Sequence, residues 1–138
     1  MRFFLKLIAG IGGGLMAGIL AGLVFSLPVA GAEAMESANQ TGLAVGALTG
    51  LTLALTAPRP AKAWRRVFAA CGLLAFAMPV SAFVFTYLSA ADAGEQMGNA
   101  GAAGAMLGGG MATFGIGFVA FFVGLIFFSL AYFIGKND

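Results

Sequence analysis

No charged residue falls between Lys6 and Glu33, and the intervening run, LIAGIGGGLMAGILAGLVFSLPVAGA, is apolar or glycine almost throughout. A run of this length crosses a hydrocarbon layer of about 30 Å as a helix rising about 1.5 Å per residue. Few other places can take it, because a helix that is apolar all round must be buried in a large core or in lipid. The whole chain has 138 residues, too few to build such a core around it. Hydrophobic residues make up 61% of the sequence, charged ones 9%, and the mean hydropathy is +1.01. Soluble domains carry about 25% charged residues, so the bilayer is the solvent this composition calls for.

Four apolar segments are expected: Leu5 to Val29, Thr41 to Ala57, Trp64 to Ser89, and part of Gly101 to Ile134. The second is marginal in length and is expected to begin earlier, near Glu36. The fourth is too long for one straight span. Its first turns, interrupted by Gly108, Gly109 and Gly110, are expected to tilt or to stand outside the lipid. Every lysine and arginine lies near a terminus or in the central break: Arg2, Lys6, Arg59, Lys62, Arg65, Arg66 and Lys136. The other two breaks carry Glu33, Glu36, Asp92 and Glu95 instead. The positive-inside rule then places both termini and the 58–66 segment in the cytoplasm. Trp64, Tyr87 and Tyr132 stand where interfacial aromatic belts are expected.

Met1 to Lys6, the apolar run, and Ala30, Gly31 and Ala32 have the outline of a secretory signal. The run exceeds the 7–15 residues typical of such a signal's apolar region, so a retained helix is expected.

Shifting the sequence by 59 residues, which lays Glu36 on Glu95, also lays Ala34, Gly42, Ala44, Leu48 and Gly50 on Ala93, Gly101, Ala103, Leu107 and Gly109. Glu33 then meets Asp92. The predicted fold is therefore an all-α membrane protein of four transmembrane helices in one domain, residues 1–138. It consists of two tandem helical hairpins, about 5–57 and 64–134, related by a pseudo-twofold axis along the membrane normal.

Glycine is costly in a water-exposed helix but useful in a bilayer. Lipid does not press helices together, so association depends on close backbone approach along stripes of small residues. Gly10, Gly14, Gly18 and Gly22 form one stripe, and Gly42, Gly46 and Gly50 another. Gly110, Gly117 and Gly124 recur every seven residues in the last segment, among Phe114, Phe118, Phe121, Phe122, Phe127 and Phe128. These ten glycines are the predicted helix-packing residues. Pro79 is the expected kink in the third segment, because it removes an N–H that would bond the carbonyl of Ala75.

The residues offer little chemistry. There is no histidine, and the one cysteine, Cys71, lies inside an apolar segment, so no catalytic set, metal site or cofactor is expected. The glycines of GIGGGLMAG come without the lysine of a phosphate-binding loop. No ionisable group lies deep in a span, as ion-coupled transport would ordinarily require. Hydroxyls such as Ser26, Thr49, Thr52 and Thr86 can bond a carbonyl one turn back. Met35 and Met97 beside the acids are a weak signal for copper without histidine.

Glu33, Glu36, Asp92 and Glu95 are candidate contacts for cations or a basic partner. Arg59, Lys62, Arg65 and Arg66 are candidate contacts for anionic lipid headgroups, and nucleic acid is not implied. The expected role is a small accessory or structural subunit of a larger inner-membrane complex, with membrane lipid and other integral subunits, or further copies of itself, as partners. The alternative is a homo-oligomeric channel or small transporter with an acidic outer mouth. Sparse lysine with abundant alanine and glycine points to a bacterial plasma membrane.

Overall fold

The structure is a computed structural model that describes residues 2–29 and 32–136. Ala30 and Gly31, part of the signal-like motif, lie outside the described residues. The described chain is three helices: α1 (Arg2–Ser26), α2 (Ala32–Leu55) and α3 (Pro60–Lys136). Proline accounts for both breaks. Pro28 follows the end of α1, where the Leu27 and Val29 amides donate to the carbonyls of Leu23 and Ser26. Pro58 stops α2, and Pro60 opens α3 at the position where its missing N–H costs nothing.

The four-span arrangement of two equivalent hairpins is not found. Among the described residues there are three helices, two of them candidate membrane spans, and the segments expected as third and fourth spans both lie in α3, on either side of a non-helical residue, Gly98. The acidic stretch expected as a loop around Asp92 and Glu95 is helical. Ala, Glu, Gln and Met dominate it, all good helix formers, and its charges sit at exposed positions. Within α3 only Gly98 leaves helical geometry, at φ 71° and ψ −163°. That conformation is essentially reserved for glycine. At Gly98 the helix folds back, so that limb 60–97 packs on limb 99–136. The break expected at Gly108–Gly110 is absent, and all three residues are helical.

The pseudo-twofold axis fails for a reason visible in the residues. Gly50, Gly46 and Gly42 face Gly14, Gly18 and Gly22 of α1. The 59-residue shift replaces those three facing glycines by Leu73, Ala77 and Ser81. Gly109, the counterpart of Gly50, packs on the Thr86 side chain rather than on backbone.

Two helices are long and apolar enough to cross a membrane, the most apolar 18-residue stretch having mean hydropathy 2.1 within Phe3–Ser26 and 2.4 within Pro60–Ile134. The α2 helix is not among them, since its first turns hold Glu33, Glu36, Ser37, Asn39 and Gln40. The apolar window of α3 is only 17% buried, so most of its hydrophobic surface faces outward. The accessible surface, 8366 Å², exceeds the roughly 6,700 Å² expected for a compact soluble protein of this mass.

The interior is built from small side chains. Ala9, Ala17, Ala54, Ala57, Ala63, Val67 and Cys71 form the central cluster, and Val67 and Cys71 are the largest fully buried residues.

Candidate functional site

The closest helix contact is between α1 and α2, which run antiparallel in a register that faces Gly14 with Gly50, Gly18 with Gly46 and Gly22 with Gly42. A Cβ added at Gly50 would stand 2.5 Å from the Gly14 Cα, and one at Gly42 would stand 2.6 Å from the Gly22 Cα. At Gly46 it would meet the Ala17 carbonyl and, at 2.6 Å, the Gly18 Cα. Backbone cannot retreat as a flexible side chain can, so each position excludes any larger residue. From the α1 side, Gly10 lies under Leu51 and Ala54, Gly14 under the Ala47 carbonyl, Gly18 under the Leu43 carbonyl and Gly22 under Asn39. The α1 stripe is thus covered by α2 and offers no free face.

The limbs of α3 pack by a different device. The Phe128 ring fills the space over Gly72, and the Phe76 ring fills the space over Gly124. These rings lie 5.8 Å apart, and Phe76 meets Phe121 edge-on at 6.0 Å. Toward the start of α3, Trp64 stacks on Phe68 at 5.4 Å and Phe68 on Phe127 at 6.0 Å. Nearer the bend, the hydroxyls of Thr86 and Thr113 lie 3.0 Å apart, joining the limbs, while Thr86 also donates to the Ala82 carbonyl at 3.0 Å. Gly109 sits against Thr86, Gly117 lies near the Pro79 ring, and Gly110 faces open space.

Four glycines in tight contact, Gly13, Gly72, Gly101 and Gly109, fall outside the sequence-derived stripes, Gly101 lying against Met97 and the Ala93 carbonyl across the bend. Gly13 lies against Val67 and so joins α1 to α3. The run Gly12–Gly14 could have suggested it, since consecutive glycines free two helix faces at once. For Gly72 no sequence signal was present, because its partner ring is 56 residues away (Phe128 less Gly72).

Charge is divided between the two ends of the molecule. Gly10 against Leu51 and Gly12 beside Trp64 place the start of α1 next to the end of α2 and the start of α3. Lys6 and the exposed Arg59, Lys62, Arg65 and Arg66 are therefore at one end, where Arg66 Nη1 donates to Thr56 Oγ1 at 3.5 Å. Exposed Glu33, Glu36, Asp92 and Glu95 are at the other, with Glu36 accepting from Gln40 at 3.3 Å. Among the described residues, no three acidic or cysteine side chains converge as a metal site would require. The four carboxylates are spread over one end rather than gathered. Cys71 is buried between apolar neighbours.

Hydroxyls inside the helices bond their own backbone: Ser26 to Leu23, Thr49 to Val45, Thr52 to Thr49 and Thr56 to Thr52, at 2.7–3.2 Å.

The remaining large feature is the outward surface of limb 99–136. Leu107, Met111, Phe114, Phe118 and Phe122 recur at spacings of three and four on one face, with Phe114 76% and Phe118 59% exposed. No family model, curated protein or solved structure matches this chain.

Proposed function

We propose that the protein is a small, non-catalytic accessory subunit that packs beside other integral proteins in a bacterial inner membrane. The observation that carries this reading is the aromatic face of α3, Phe114, Phe118 and Phe122, which the other described residues leave half or more exposed. The α1 glycines are already used against α2 in what we read as an internal glycine zipper, so recognition falls to the face that remains. Rigid aromatic side chains contribute large contact area at small entropic cost, which suits a partner helix whose own surface is made of small residues.

The charge division supports an orientation with both termini and the Arg59–Arg66 end in the cytoplasm and the carboxylate end outside. Four basic side chains at the inner surface favour anionic lipid by about 1 kcal/mol each. The absence of histidine, and of Asp, Glu, Lys and Arg from the apolar stretches 7–32, 37–58, 67–91 and 96–135, favours a structural role over proton-coupled transport.

The test is isolation of the C-terminally tagged chain at native expression in a gentle detergent, with native gels and mass spectrometry. A stoichiometric assembly with other membrane proteins is expected. A small homo-oligomer containing nothing else would overturn the reading and favour a channel.

A further inference from the structure

Three adjoining cavities that share wall residues follow one another as a cleft along the last turns of α1, from the start of α2 to limb 99–136 of α3, and their lining changes along the row. The largest of the three, about 480 Å³, is walled by Leu20, Leu27, Met78, Val119 and Val123. Leu23, Leu27 and Ile116 are shared with a second cavity of about 370 Å³ that contains the hydroxyls of Ser26, Thr86 and Thr113. That cavity shares Leu23, Ser26 and Met35 with a third, also about 370 Å³, where Glu36 and Asn39 form the mouth.

Gly115 lines the largest cavity, and nothing lies within 4 Å of where its Cβ would stand. It therefore differs from Gly14, Gly46 and Gly50, whose missing side chains are replaced by backbone of the facing helix. The absent side chain at Gly115 keeps space open.

We propose that this cleft holds one phospholipid with an amine headgroup, its ammonium beside Glu36 and an acyl chain against Leu20, Val119 and Val123. The inference rests on the membrane location in the preceding reading but not on the accessory role. A carboxylate at one end of the row and aliphatic walls at the other match the layout of an amphiphile. Charge selects the headgroup. The described basic side chains, Lys6, Arg59, Lys62, Arg65 and Arg66, are at the opposite end, and Glu36 is the charge that lines the mouth. An ammonium is attracted there, and a headgroup with only negative charge is repelled.

The test compares phosphatidylethanolamine with phosphatidylglycerol of identical acyl chains, each supplied in vesicles to the purified protein, with retained lipid counted by native mass spectrometry. One phosphatidylethanolamine per chain is expected, favoured by about tenfold over phosphatidylglycerol. Gly115→Leu, whose Cβ meets no neighbour and whose longer side chain enters the cleft, should lower retention of both lipids by about tenfold while helical circular dichroism is unchanged. Glu36→Gln, at an exposed position, should abolish the headgroup preference and leave retention itself in place. Equal retention of both lipids by the unaltered chain, or unchanged retention by Gly115→Leu, would overturn the proposal. So would disulfide pairing of two copies through Val119→Cys in a Cys71→Ala background, since a second copy would then occupy the cleft.

Discussion

At Gly46 the energetics of the molecule reduce to the absence of one methyl group. A Cβ there would press on the Ala17 carbonyl and the Gly18 Cα, so α1 and α2 would have to separate. Gly46→Ala should destabilise the protein by about 1–3 kcal/mol, the usual cost of overpacking, in denaturant titrations in micelles. Gly110→Ala should stay within about 0.5 kcal/mol, because its Cβ meets nothing and alanine is the better helix former. Gly98 is a third case. Its Cβ would also meet nothing, yet Gly98→Ala should cost about 1–3 kcal/mol through the positive φ alone. Equal losses at Gly46 and Gly110 would contradict this ranking. The stripes at Gly10–Gly22 and Gly42–Gly50 were legible in the sequence because their period matches a helix face. The sevenfold series was as regular, yet only Gly124 is in tight contact. Periodicity identifies a face and is silent about what covers it.

At the scale of elements, the helix ends were legible and the connection inside α3 was not. Pro28, Pro58 and Pro60 stop and start helices by removing donors, a local effect that any reading of the chain can use. Residues 90–100 invite a loop assignment through their charge, but helix propensity prevails in a stretch rich in alanine, and the reversal is confined to one dihedral pair at Gly98. The limbs so formed are joined by rings set over Gly72 and Gly124 and by one hydroxyl pair. The Thr86–Thr113 hydrogen bond should contribute about 0.6 kcal/mol, the mean for such bonds between membrane helices. A double-mutant cycle of Thr86→Val and Thr113→Val measures it. A coupling of zero would show that Thr86 is satisfied by the Ala82 carbonyl alone.

For the whole molecule, the segregation of charge was readable before the fold, since it needs only the order of residues along the chain. The folded chain brings the described basic positions to one end and the acidic ones to the other, the division on which the proposed orientation rests. In a Cys71→Ala background, Glu36→Cys should react with an impermeant maleimide on intact cells, and Lys62→Cys only after permeabilisation. The reverse pattern would invert the topology. What the sequence could not supply was the division of labour between surfaces, because glycine stripes and phenylalanine stripes look equally available until the glycines are seen to be covered. In the proposed arrangement another integral protein covers the face containing Phe118. A photo-crosslinking amino acid placed at position 118 in native membranes, with the adducts identified by mass spectrometry, tests that arrangement. A single heterologous polypeptide adduct of defined mass is expected, and adducts to lipid or to a second copy alone would refute it.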